Sequence, residues 1–151
     1  MIHLQRIGHV LLRVADIERS KDFYTSVLGF EVVEEDPAHG GVFMTLGEQG
    51  HTLDLVPVEQ PELDQRSLGN RVGVHHIAFQ VDSYDALKEA YFTLQDSGIE
   101  VVRAIDHVSQ QSIYFHDPDG NRLEIYYELP NAPDLFRQGR GDRDEVITFT
   151  R

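Results

Sequence analysis

The chain contains an internal repeat, and each copy carries the same kinds of metal-binding side chain. Residues 76–128 repeat residues 9–58, and the matching stretches are His9–Val14 with His76–Val81, Gly29–Val33 with Gly98–Val102, and Gly50–Leu55 with Gly120–Ile125. The matched positions pair a His with a His and an Asp with a Glu. Two modules related by a pseudo-twofold axis can bring all four side chains together, so the repeat predicts a metal site.

The composition is that of an ordinary soluble domain, and it limits the partners. The chain has 151 residues, with 40% hydrophobic and 26% charged. The formal net charge is -13, which would repel phosphate polymers and anionic membranes. We therefore expect a small-molecule substrate and neither nucleic acid nor a membrane as partner. Without a signal-like start or a run of 18 apolar residues, the expected location is the cytoplasm.

Cysteine is absent from the chain. Disulfides, thiolate nucleophiles and zinc-thiolate sites are therefore excluded. Any metal ion must be bound by His and carboxylate side chains.

Hydrophobic periodicity predicts the order β-α-β-β-β in each module. We expect one domain of residues 1–151, with module one at 5–58, a linker at 59–73, module two at 74–128 and a C-terminal arm at 129–151. The arm is either docked or a partly disordered tail. The strand candidates are His9–Val14, Phe30–Glu34, Val42–Leu46 and Thr52–Val56 in module one, and residues 76–81, Ile99–Arg103, Ser112–His116 and Arg122–Tyr127 in module two.

Strand alternation predicts which side chains share a face of the sheet. One face should be apolar and lie under the helices, while the other carries polar groups toward a cavity. The same alternation places His51 opposite Asp54, and it directs His75 away from His76, which makes His75 a structural residue.

His9, His76 and Glu124 are the predicted metal ligands, and Asp54 is a fourth candidate. Two imidazoles and one carboxylate suit Fe(II), Mn(II), Ni(II) or Zn(II), and they leave positions open for substrate or oxygen. Asp54 is alternatively a polar group facing the substrate or a solvated strand residue.

The two modules resemble the vicinal oxygen chelate superfamily, which includes glyoxalase I, extradiol dioxygenases and drug-resistance proteins. The resemblance lies in HVLLRVADIERSKDFYTSVLGF, in HHIAFQV and in SIYFHDPDGNRLEIYYE. It implies an α+β fold in which two tandem βαβββ modules form an open, eight-stranded, cup-shaped sheet with helices outside. It also implies a homodimer, and a divalent metal bound by His9, His76 and Glu124.

Within the superfamily, the stretch from Asp106 to Glu124 is most similar to extradiol ring-cleaving dioxygenases. That similarity implies Fe(II), a catechol-like diol and O2, with Tyr114 directed at the substrate. The chain departs from the larger extradiol enzymes because residues 61–70 lack their acid-base His. His51, His107 or His116 would have to replace it, and His51 is favoured by its location. His116 shares the predicted face of Tyr114, so we also expect it at the substrate.

A glyoxalase I-like isomerase or an epimerase is the alternative, and a drug-binding resistance protein is a second one. Arg13, four residues after His9, resembles the Arg that holds the substrate in glyoxalases. Against an isomerase, the ligand expected in module one is Glu, and this chain has Asp54. Retention of the three predicted ligands argues against a drug-binding protein.

The two modules differ at the predicted site. Asp54 is one methylene shorter than Glu124, and Met44 stands where module two has Tyr114. This asymmetry predicts that module two determines the reaction.

Overall fold

Each half of the chain folds as a mixed sheet with a helix packed on one face. The computed structural model describes residues 2–3, 5–47, 50–59, 73–139 and 143–151. The chain divides into two units, residues 1–69 and 70–151. The predicted linker lies almost entirely outside the described residues.

The sheet of unit one has the order β1-β4-β3-β2. β1 runs parallel to β4, and β4, β3 and β2 are antiparallel neighbours. β2 is exposed along its whole length and is interrupted by a bulge between Val32 and Glu34. The strands are β1 (Val10–Val14), β2 (Glu31–Glu35), β3 (Val42–Thr45) and β4 (Leu53–Pro57).

Helix α1 (Ile17–Asp22) follows β1 and continues as a π-helical turn, Phe23–Val27. The carboxylate of Asp16 caps the helix by accepting a hydrogen bond from the Arg19 backbone N–H, as its position predicts. Gly29 ends this segment with a φ of 76°, a conformation that a residue without a Cβ adopts at little cost.

The sheet of unit two has the order β5-β8-β7-β6-β9. β5 is parallel to β8, and the other pairs are antiparallel. Helix α2 (Tyr84–Asp96) is capped by Ser83 and packs on β5, β7 and β8. The strands are β5 (Ile77–Val81), β6 (Arg103–Asp106), β7 (Gln110–His116), β8 (Arg122–Glu128) and β9 (Glu145–Val146).

The predicted division into an apolar and a polar sheet face is confirmed. The buried residues of one parity form the core of each unit, and they are Val14, Met44, Leu53 and Leu55 in unit one and Ile113, Phe115, Leu123 and Ile125 in unit two. On β1 the residues of the other parity, Leu11 and Arg13, are exposed. Burial of the apolar set supplies the main driving force for folding.

The prediction of a strand at Ile99–Arg103 is wrong. The Ile99 N–H bonds to the carbonyl of Leu94, so the chain there still closes the end of α2. Pairing with β7 begins only at Val102, whose N–H donates to the Tyr114 carbonyl. The described residues contain nine strands in two sheets instead of the eight expected.

The described part of the C-terminal arm is docked and structured. It contains helix α3 (Ala132–Gln138) and β9, which pairs with β6. Phe149 is buried and lies against the rings of Tyr84 and Tyr91 on α2. No helix among the described residues combines the length and the apolar character needed to cross a membrane.

Leu87 on α2 tests the core of unit two, since its side chain is 0% exposed. Leu87→Ala removes buried methyl groups and leaves a cavity, so it should lower the free energy of unfolding by about 2 to 5 kcal/mol. Glu89→Ala, on the exposed side of the same helix, should change it by less than about 0.5 kcal/mol. Urea unfolding of both variants makes the comparison, and equal effects would contradict this packing.

Candidate metal and substrate site

In unit one, a buried carboxylate lies beside two imidazoles. Asp54 is 1% exposed on β4, between Leu11 of β1 and Phe43 of β3. Its Oδ1 is 2.6 Å from His51 Nδ1, and its Oδ2 is 3.8 Å from His9 Nε2. The two imidazole rings stack at 4.6 Å. Donor atoms of these three residues lie within 4.8 Å of one another, so they form a potential metal-binding group.

The prediction that His51 lies opposite Asp54 is wrong. β4 begins at Leu53, so His51 precedes the paired strand and its side chain is not subject to the alternation.

The prediction that Met44 matches Tyr114 is also wrong. Phe43 is the β3 residue opposite Asp54, as Tyr114 is opposite Glu124, because the turn of module one is one residue longer than that of module two.

In unit two, Glu124 is the buried centre of a second polar cluster. It is 2% exposed on β8, between Ala78 of β5 and Tyr114 of β7. His76 Nε2 is 2.9 Å from its Oε2. The Gln110 amide and the Tyr114 hydroxyl donate to its Oε1 at 3.0 and 3.1 Å. Gln110 lies at the start of β7, and no sequence motif marks it as part of the site.

The prediction that His75 faces away from His76 is wrong as well. Both residues precede β5, and their Nδ1 atoms are 2.7 Å apart. Arg122 can only donate, so His75 Nε2, 2.8 Å from its guanidinium, accepts. The contact between the two Nδ1 atoms holds the His76 ring with its Nε2 toward Glu124. His75 therefore orients the predicted ligand.

His107, considered above only as one of three possible proton donors, contacts Tyr114. Its Nε2 is 2.9 Å from the Tyr114 hydroxyl. The other predicted substrate residues lie apart from this contact. Arg13 is exposed on β1, and His116 is half-buried at the end of β7 opposite Arg122. Within the described residues, neither of them hydrogen-bonds to Asp54 or Glu124.

The two buried carboxylates fit a cation. Within the described ranges, their polar partners are His, Gln and Tyr side chains, with no Lys or Arg among them. An ionised carboxylate in the interior is costly unless a positive charge compensates it. His76 Nε2 and Glu124 Oε2 are 2.9 Å apart, so both could contact one ion.

Tyr114 is held in its neutral form. Burial of the phenol, assisted by the charge of Glu124, raises the pKa of Tyr114 to about 12. Near neutral pH the side chain is therefore a hydrogen-bond donor. It lies beside the carboxylate that the sequence predicts as a ligand.

Sequence comparison identifies the family. The profile of the Glyoxalase/Bleomycin resistance protein/Dioxygenase superfamily matches residues 6–125. The chain belongs to this superfamily. The predicted resemblance is thereby confirmed, and the mixed α+β sheets described above are consistent with the glyoxalase fold.

Several relatives are named as dioxygenases. The chain is 34% identical over 129 residues to biphenyl-2,3-diol 1,2-dioxygenase 2 of Rhodococcus globerulus, covering 85% of this chain and 66% of that protein. It is 30% identical to catechol-2,3-dioxygenase of Bacillus subtilis (strain 168), covering 83% of this chain and 42% of that protein. The chain thus spans less than two thirds of the length of these relatives.

Among solved structures, a glyoxylase/bleomycin resistance protein/dioxygenase domain from Frankia sp. EAN1pec is similar in fold. The TM-score is 0.73 at 22% identity, and the match covers 85% of this chain and 95% of that domain. At this identity the likeness concerns the fold.

The raised pKa of Tyr114 is testable by ultraviolet titration of tyrosinate. The pKa is raised, so the folded protein should retain the Tyr114 proton from pH 10 until about pH 12. The difference between wild type and Tyr114→Phe should therefore show one phenol that ionises near pH 12. In denaturant that difference should move to about pH 10. A folded-state difference centred at pH 10 would contradict the described burial.

Proposed function

We propose that the protein is a mononuclear metal enzyme that cleaves a catechol-like vicinal diol with O2, as extradiol dioxygenases do. The observation that supports this most directly is the cluster of unit two, in which neutral Tyr114 lies between Glu124 and His107. The names of the relatives from Rhodococcus globerulus and Bacillus subtilis agree with it. A cytoplasmic location and a homodimer are part of the proposal.

We assign the metal to His9, His76 and Glu124, with Fe(II) favoured over Mn, Ni or Zn. When bound, the metal supplies the Lewis acidity and one-electron chemistry that allow O2 to react with a diol. In unit one, His51 holds the Asp54 carboxylate through Nδ1. We therefore assign Asp54 to the surroundings of the ligands, where it orients His51 and contacts substrate.

The residues of this chain would orient the diol and move its protons. A diol loses protons when it chelates a cation, and a neutral imidazole nitrogen near the site can accept one. His107 Nε2, beside the Tyr114 hydroxyl, is one such acceptor. His51 is the other, because donation from Nδ1 to Asp54 leaves its Nε2 free of a proton. The Tyr114 hydroxyl can then donate to an oxygen of the substrate in place of Glu124.

Arg13 and His116 complete the proposed site as substrate contacts. Arg13 has the same parity on β1 as Leu11, which pairs with Asp54, and His116 has the same parity as Tyr114 on β7. Among the described residues neither hydrogen-bonds to the two carboxylates, and we assign each of them to groups on the substrate beyond the diol.

Metal binding separates the three proposed ligands from Asp54. Purified anaerobically and supplied with Fe(II), the wild type should retain one ion per chain by elemental analysis. Glu124→Gln should lose the ion, because an amide replaces a buried anionic ligand. Asp54→Ala should keep it. Loss of the ion in Asp54→Ala to the same extent as in Glu124→Gln would instead favour a four-ligand site of the glyoxalase type, and two ions per chain would contradict a mononuclear site.

Turnover tests the reaction itself. The Fe(II)-loaded protein should consume O2 with one or more members of a catechol panel and form a coloured ring-cleavage product. Tyr114→Phe should lower kcat by about 10²-fold through loss of its proton donor. Tyr127→Phe removes a hydroxyl from β8 at a position of opposite parity to Glu124, and it should leave kcat unchanged. No O2 uptake, together with turnover of a methylglyoxal-thiol adduct under Ni(II) or Zn(II), would exclude the dioxygenase.

A further inference from the structure

The C-terminal arm brings an acidic side chain to the cluster of unit two. The Asp144 carboxylate lies 2.8 Å from His107 Nδ1, on the side of the ring opposite Tyr114. Asp144 immediately precedes β9, whose residues pair with Ile105 and Asp106 of β6. The Ile147 N–H also donates to the Ala104 carbonyl at 3.0 Å. The arm is thus fixed to the sheet edge next to His107.

The backbone is strained at the residue that follows His107. Val108 has a φ of 70°, which is rare for a β-branched residue. The strain is held by two hydrogen bonds, from the Val108 N–H to Asp106 Oδ1 at 2.7 Å and from the Ser109 N–H to the His107 carbonyl at 2.8 Å. Ser109 is fully buried, and its carbonyl accepts from the Leu129 N–H. Strained turns of this kind persist where the surroundings over-determine them, and they are common at functional sites.

The proton positions on His107 follow from the two hydrogen-bond partners described above. An ionised carboxylate only accepts hydrogen bonds, so His107 donates to Asp144 from Nδ1. In the neutral ring, Nε2 then carries a lone pair that can accept the single Tyr114 proton whenever that proton is not donated to Glu124. A neutral imidazole without such a partner is free to exchange tautomers. Asp144 therefore selects the form of His107 that can accept a proton at Nε2.

We propose that Asp144 is a positioning residue, which fixes the tautomer and orientation of His107 toward Tyr114 and makes the C-terminal arm part of the reaction site. This inference rests on the proposed dioxygenase function for its kinetic consequence. Its structural consequence, the state of the His107 ring, is independent of that function. His107 is 17% exposed, whereas Asp144 is 52% exposed, so Asp144 can be replaced without opening the core.

The test combines nuclear magnetic resonance of the metal-free protein with kinetics of the Fe(II)-loaded protein. In protein labelled with ¹⁵N at histidine, His107→Gln identifies the His107 signals. Wild-type His107 should show a protonated Nδ1, and Asp144→Ala should shift its Nδ1 and Nε2 signals toward an exchanging mixture of tautomers. Asp144→Asn, which keeps an acceptor oxygen, should retain more of the wild-type pattern. In the loaded enzyme, Asp144→Ala should lower kcat by about tenfold, with KM nearly unchanged.

Glu145→Ala is the matched control, since it removes the same charge from the neighbouring position of the arm. It should leave both the His107 signals and kcat unchanged. Amide exchange of Ile147, which bonds to β6, reports whether the arm stays docked in each variant. Unaltered His107 signals in Asp144→Ala, or equal changes in Glu145→Ala, would overturn the proposal. A chain inactive on every catechol would refute the dioxygenase function alone, because the His107 signals would still decide the role of Asp144.

Discussion

A carboxylate buried at the centre of each sheet is the constraint on which the rest of the site depends. Asp54 and Glu124 lie on β4 and β8, strands that have a parallel neighbour on one side and an antiparallel neighbour on the other. Both carboxylates are almost completely removed from solvent. The fold meets the cost of this burial with imidazole, amide and phenol donors rather than with Lys or Arg among the described residues. Because no described Lys or Arg neutralises these carboxylates, their negative charge can bind a metal ion.

The sequence is sufficient to predict the parts of the site that lie inside paired strands. Parity placed Tyr114 and His116 on one face, and the register then sets Tyr114 directly opposite Glu124. The same rule fails for His51 and His75, because each residue precedes its strand and its backbone is not held by a ladder. Side chains alternate between the two faces only where the backbone is paired in a sheet. The direction of a side chain just before a strand therefore cannot be predicted from alternation.

Other features depend on contacts between residues far apart in the chain. His107 and Asp144 are separated by 37 positions, and no local pattern links them. β9 has only two residues, too few for a periodicity, and it forms because β6 offers a free edge. The sequence does not predict the positive φ at Val108 either, because Val ordinarily indicates an extended strand. These features determine how the predicted ligands are surrounded.

The exposed strand β2 has a consequence for the behaviour of the protein at high concentration. It is the last strand of the unit-one sheet, and such an edge can template the addition of a strand from another molecule. β2 carries three glutamates, Glu31, Glu34 and Glu35, and its bulge interrupts the regular spacing of its backbone groups. Charge repulsion and the broken spacing both oppose the addition of a strand. The glutamates and the bulge therefore protect this edge of the sheet against fibrillar self-association.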